Sequence, residues 1–193
     1  GLSDHMKEWE EAAQSGIGFE HLSIGVVLGM EGADPVLDTE ALEEFFDAGL
    51  RVISLTHYDT STFGHGTGTG TEGGLLPPAD WLLADMERLG IVLDATHASD
   101  ATISQALERF DGSVIATHQN CRAIAPGERQ FPDQILRSII DRAGIIGVSM
   151  DTAMLYREGI DWANAVGLKR PFSKADITLS DLAEHVDHIC QLS

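Results

Sequence analysis

The feature that most constrains the fold of this chain is a repeat of strand-like and helix-like segments punctuated by glycine. Short apolar runs rich in Val and Ile begin near Ile24 (IGVVLGM), Val52 (VISL), Ile91 (IVLDA), Val114 (VIAT) and Ile145 (IIGVSM). Apolar on both faces, they read as parallel strands covered by helices. Between them stand helical patterns: TEALEEFFDAG, PADWLLADMERLG, SDATISQALERFDG and PDQILRSIIDRAG. Each opens on Thr, Pro or Ser, which suit a helix cap or first turn. Each ends in a glycine (Gly49, Gly90, Gly112, Gly144), suited to the left-handed position past a helix end. This alternation, with short returns from helix to strand, predicts a parallel α/β protein. Whether the sheet stays open or closes into a barrel is not legible from the pattern.

The segments that follow the strands are longer. THYDTSTFGHGTGTGTEGGLLPP and THQNCRAIAPGERQF place a functional face at the strands' carboxyl ends. At 193 residues the chain is expected to form a single domain, 1–193. Residues 1–23 read as a helical lead-in, whose GLSDHMKEWEEAAQSG is an amphipathic acidic helix and not a secretion signal. Residues 156–177 read as an irregular insertion before a last helix, LSDLAEHVDHICQL. With 12 basic against 31 acidic residues, and a formal charge of −19, a nucleic-acid or anionic-membrane surface is not expected. No apolar run reaches the roughly 18 residues of a membrane span. Cys121 and Cys190 lack metal-type spacing and form no disulfide framework, which favours a reducing compartment and a cytoplasmic location.

Three strands finish on the same pair of residues: VISLTHYD, IVLDATHASD and VIATHQN all end in Thr-His. If the strands are parallel, His57, His97 and His118 meet on one rim with Glu31, which follows VVLGM in the same way. A single strand-end histidine reads as an ordinary hydrogen-bonded residue. Three after near-identical strands, together with a carboxylate, read as a first-row metal site, and zinc suits such donors. His5 and His21 fall on the expected N-terminal surface, and His65 in the glycine loop is expected to serve the turn. His185 and His188 share a helix face with Glu184, where a structural role is expected. Gly68-Thr-Gly70-Thr-Glu-Gly73 formally satisfies a dinucleotide fingerprint, with Asp94 about twenty residues on. Its distance from the strand, Pro77-Pro78 before the helix and Glu72 among the glycines all weaken that alternative, and a flexible flap over the rim is preferred. Cys121 reads as a packed thiol. Arg129, in PGERQFPDQ, reads in general as a solvated arginine, and at a rim carrying metal ligands as the natural fork for a substrate carboxylate.

GMEG, LTHYD followed by GGLLPPADWLLADMERLGIVLDATHASDATISQAL, VIATHQNCRAIAPGERQFPDQIL and HVDHI resemble the membrane dipeptidase (renal dipeptidase, M19) family, from about Ile24 to Cys190. The resemblance implies a (β/α)8 TIM-type barrel of the metal-dependent hydrolase superfamily and a zinc-dependent dipeptidase with two zinc ions per complete site. It implies that Glu31 bridges the metals, that His97 and His118 bind the second, and that His57 polarises the scissile carbonyl. Arg129 matches the arginine that holds the substrate's terminal carboxylate. The family's first-strand His-x-Asp pair and its late aspartate have no match here. His57-Tyr58-Asp59 and His185-Val186-Asp187 spell the first motif in the wrong places. About five of eight strands are therefore expected, against a typical barrel of about 250 residues. The second metal site is expected from Glu31, His97, His118 and water, and the first retains Glu31 alone. The expected partner is a dipeptide substrate, and a homo-oligomer stays open. The alternatives are a non-catalytic or truncated relative binding one metal or a peptide, a related amide hydrolase, and a dinucleotide-dependent α/β enzyme.

Overall fold

The computed structural model describes residues 2–16, 22, 24–159 and 177–193. Along the strands, alternate side chains are sorted between two environments. Ile53, Leu55, Leu93, Ala95, Val114 and Ala116 are buried beneath helices. Their neighbours Val52, Ser54, Asp94, Ile115 and Thr117 line a groove on the opposite face. This period-two sorting divides a helix-covered side from a concave side.

The strands are β1 (Leu28–Glu31), β2 (Leu50–Ser54), β3 (Val92–Asp94), β4 (Val114–Ala116) and β5 (Ile145–Ile146). They pair in the order β1-β2-β3-β4-β5, every pair parallel. An unbroken sequential order has no switch point of the doubly wound kind, and each crossover keeps its helix on the same side. The sheet is thus an arc of barrel wall, which resolves the open-or-closed question in favour of the TIM-type architecture. The helices are α1 (Leu2–Ser15), α2 (Thr39–Asp47), α3 (Ala79–Leu89), α4 (Asp100–Arg109), α5 (Asp133–Ile140) and α6 (Leu179–Leu192). α2 packs on β2, α3 on β3 and α5 on β4 and β5, with neighbouring helices in contact from α2 through α6. Leu42, Leu82, Met86, Ile103, Leu136 and Ile139 supply the helix side of the core. Each such Leu or Ile contributes about 2 kcal/mol by leaving water.

Two expectations need correction. The first strand begins at Leu28 and not near Ile24, because β2 starts at Leu50 and the ladder pairs Leu28 with Leu50. Among the described residues, 24–27 have no strand beside them, and Ile24 is 83% exposed. The glycines after the helices do not act alike. Gly49 and Gly90 take positive φ (109° and 71°), as a C′ residue does. After α5 the left-handed position falls to Ala143 (φ 55°). Gly144 is needed for space, since a Cβ there would lie 2.5 Å from the Val114 carbonyl oxygen.

Among the described residues, β1 and β5 pair on one side only. Ile145 on β5 is 72% exposed. The groove on the concave face of β1 to β4, about 460 Å³, is apolar at Val27 and Val52 and polar at Glu31, Asp94, Thr117 and His118. His21 and residues 160–176, most of the expected irregular insertion, lie outside the described residues. Among those described, no helix is long and apolar enough to cross a membrane.

Candidate metal centre

Glu31 is the last residue of β1, while His57, His97 and His118 lie three, three and two residues past the ends of β2, β3 and β4. Parallel neighbours therefore carry four side chains to one rim. Glu31 Oε1 is 3.0 Å from His97 Nε2 and 3.2 Å from His118 Nε2. The two Nε2 atoms are 3.2 Å apart. His57 stands farther out, its Nε2 4.0 Å from Glu31 Oε1 and its ring 4.3 Å from that of His97. Glu31, His57 and His97 offer ligand atoms that all lie within 4.8 Å of one another.

The triangle formed by Glu31, His97 and His118 suits a small divalent cation. Zinc bound at about 2.0–2.1 Å in a tetrahedron separates its donors by about 3.3 Å, and the edges here are 3.0 to 3.2 Å. Two imidazoles and a carboxylate, with a further position open to the groove, form a donor set of the catalytic type.

His97 reaches this point through an unusual backbone. Its φ is +70°, a left-handed conformation that costs a non-glycine residue about 1–2 kcal/mol. Such strain collects where a side chain must be aimed. The His97 side chain is 4% exposed, and burial, followed by the Arg129 charge and the two other imidazoles, pulls its pKa down to about 2. Burial and Arg129 also lower His118, against Glu31 and Asp94, which raise it. Both rings are thus held in the neutral form that donates a lone pair.

The glycine loop is not a loose flap. Asp59 N–H donates to the Thr67 carbonyl, Gly66 N–H to that of Asp59 and Thr67 N–H to that of His57. A Cβ on Gly66 would fall 2.3 Å from the His57 carbonyl oxygen, so only glycine lets the loop lie this close. Gly68 N–H and Gly70 N–H donate to the Glu128 carboxylate. The amides a dinucleotide phosphate would need are therefore occupied by a carboxylate of the protein itself, so this loop is no dinucleotide cradle. His65 Nδ1 meets the Gly74 carbonyl at 2.9 Å, fastening the loop's far end. Thr67 Oγ1 lies 3.2 Å from His97 Nδ1.

Arg129 is only 3% exposed. Its Nη1 donates to Gln119 Oε1 (2.8 Å) and its Nη2 to the His118 carbonyl (3.1 Å). Burial lowers its pKa to about 10, which leaves it a cation at neutral pH. Sequence reasoning passed over Arg122 in the same loop. It grips Asp100 through two bonds of 2.6 and 2.7 Å and donates to the Gly127 and Gln130 carbonyls. It also passed over the surroundings of Asp94, whose Oδ1 accepts the N–H groups of Thr96 and Thr117, both at 3.0 Å. Asp94 Oδ2 accepts the Thr117 hydroxyl at 2.6 Å, and Thr117 Oγ1 lies 2.9 Å from His118 Nδ1. The repeated threonine before each histidine was the available signal.

The other candidates are structural. His185 is fully buried, its Nδ1 accepting the Cys121 N–H at 3.0 Å. His188 bonds Asp133, and Glu184 bonds Arg157. The three face separate partners and form no cluster. Cys121 is buried and its thiol is pushed up to about 12, chiefly by desolvation.

A sequence model of the membrane dipeptidase family (peptidase family M19) matches residues 4–193. The chain belongs to this family. An uncharacterized dipeptidase of Schizosaccharomyces pombe is 27% identical over 176 residues, covering 88% of this chain and 39% of the relative. Mouse dipeptidase 3 is 29% identical over 176 residues, covering 86% of this chain and 32% of that protein. Among solved structures, the dipeptidase AC, a family M19 metallopeptidase, aligns with a TM-score of 0.73 at 24% identity, over 96% of this chain and 52% of that one. A metallopeptidase of Rhodobacter sphaeroides, solved with a phosphinate mimic of L-Ala-D-Ala, aligns at 0.72 and 24% identity, over 98% and 56%. These structures share the barrel fold. The M19 chain described here spans about half the length of the solved relatives and a third to two fifths of the two named dipeptidases.

Proposed function

We propose that the protein carrying this chain is a zinc-dependent dipeptidase, with Glu31, His97 and His118 holding metal at the rim. The observation that supports it most is the triangle of one carboxylate oxygen and two Nε2 atoms, 3.0 to 3.2 Å on a side. Zinc held there would lower the pKa of a bound water toward 7 and polarise the carbonyl of a bound peptide. The remaining chemistry belongs to the chain's own groups. His57, half exposed and beside the triangle, is placed to hydrogen-bond the carbonyl oxygen of a bound peptide and to favour its developing negative charge. Arg129 supplies a charge-bearing fork behind His118, and a free carboxylate held there would restrict substrates to very short peptides. The groove in front of Glu31 and Asp94 is the space into which substrate fits.

A second reading makes His57 a further ligand, because its Nε2 shares the neighbourhood of Glu31 and His97. The main reading is tested by offering the intact protein L,L- and L,D-dipeptides before and after chelation. Hydrolysis that disappears with chelator and returns with zinc is expected. Hydrolysis indifferent to chelator, or none with metal bound, counts against it.

A further inference from the structure

We infer that Asp94 and Thr117 are positioning residues that hold the His118 imidazole in its Nδ1–H tautomer, so that its Nε2 lone pair points at Glu31 and His97. The available hydrogens decide the tautomer. A threonine hydroxyl has one hydrogen to give. Thr117 lies 2.6 Å from Asp94 Oδ2, and a carboxylate has none to offer in return. Asp94 is itself fixed, since its Oδ1 takes two backbone N–H groups. The Thr117 hydrogen is therefore committed to Asp94, and its oxygen is left as an acceptor 2.9 Å from His118 Nδ1. Only an Nδ1–H fits that contact. The opposite tautomer would set two lone pairs against each other inside the groove wall.

Thr96 completes the arrangement, its Oγ1 3.3 Å from Thr117 Oγ1, where its hydrogen fills the second lone pair. His97 repeats the device through another element. The Thr67 hydroxyl lies 3.3 Å from the His97 carbonyl, to which it donates, and 3.2 Å from His97 Nδ1, from which it accepts. With both rings protonated on Nδ1, three acceptors face one another at 3.0 to 3.2 Å with no hydrogen between them. In the metal-free chain the threonine contacts hold the rings against that repulsion, and a cation at the centre would relieve it. Asp94 and the threonines thus orient the metal ligands through hydrogen bonds, without serving as ligands themselves. The use of the relay rests on the metal-centre reading, but the tautomer is a property of the metal-free chain.

The test is long-range 1H–15N correlation NMR on the metal-free intact protein, labelled at histidine, in mildly alkaline buffer, paired with zinc titration against a competing chelator. The wild type is expected to show His118 protonated on Nδ1. In Asp94→Asn the amide can donate to Thr117, turning its hydroxyl toward His118 and moving the proton to Nε2. Zinc affinity is expected to fall about 10- to 100-fold in Asp94→Asn and Thr117→Val. Thr117→Ser, which keeps the hydroxyl, is expected to retain the wild-type tautomer and affinity. An Nε2–H or mixed tautomer in the wild type overturns the inference, as does Asp94→Asn with an unmoved proton. Zinc bound tightly with the wrong tautomer defeats the relay and spares the metal centre. The right tautomer without zinc binding supports the relay and defeats the metal centre. Should Asp94→Asn not fold, the wild-type spectrum and Thr117→Ser decide the matter.

Discussion

Replacing Arg122 by Met is expected to destabilise the protein by about 3 kcal/mol, a large share of a typical domain's 5–15 kcal/mol. Arg122 and Asp100 are each about three-quarters buried and joined by two short bonds. Breaking a fully buried pair costs about 3–5 kcal/mol and an exposed one about 0–1, so about 2 fits this degree of burial. The Gly127 and Gln130 carbonyls each lose a charged donor, adding about 1 kcal/mol after partial rehydration. Methionine keeps the apolar stem, so the loss reports the guanidinium and not the packing. Denaturant titration should show a lower midpoint at unchanged slope. A double-mutant cycle with Asp100→Asn should return a coupling of about 2 kcal/mol. Because the same loop carries Glu128 and Arg129, peptide turnover should fall as well. A loss below about 0.5 kcal/mol, or additive single effects, would refute the view that this clamp holds the loop.

His57→Gln is expected to lower kcat by about 100-fold while bound zinc stays at the wild-type level; loss of metal instead would make His57 a ligand. Burial, followed by the Arg157 charge, lowers the pKa of His185, against Glu184 and Asp181, which raise it. With the folded value below the usual 6.5, the unfolded chain binds the proton first. His185 therefore leaves stability untouched above about 6.5 and reduces it as pH falls below, by up to about 1.4 kcal/mol per unit. His185→Asn should flatten that slope in urea titrations at successive pH values; an unchanged slope would show that the ring does not titrate on unfolding.

The sequence made the strand count and the rim legible because both follow from periodicity. Apolar runs separated by capped helices dictate parallel strands, and parallel strands must bring Glu31, His57, His97 and His118 to one side. The barrel form was not legible from that pattern, because strand order is a property of pairing. Only the sequential ladder from β1 to β5 distinguishes barrel wall from doubly wound sheet. The glycine loop misled because composition alone suggests freedom. Gly66 is there for close approach, and Gly68 and Gly70 give their N–H groups to Glu128, a carboxylate about sixty residues away. Asp94 was visible as a strand-end acid, but its bond to Thr117 crosses from β3 to the end of β4 and needs the register to be known. Arg122 was hidden for the same reason, since it lies in the loop after β4 while its partner Asp100 opens α4.

The central claim is that Glu31, His97 and His118 grip one ion. Anomalous diffraction at the zinc edge, from crystals of the intact protein grown with zinc, tests it most directly. A peak is expected within about 2.0–2.2 Å of a Glu31 carboxylate oxygen and of Nε2 on both histidines. Full-occupancy zinc elsewhere, with these three side chains free of metal, would contradict it.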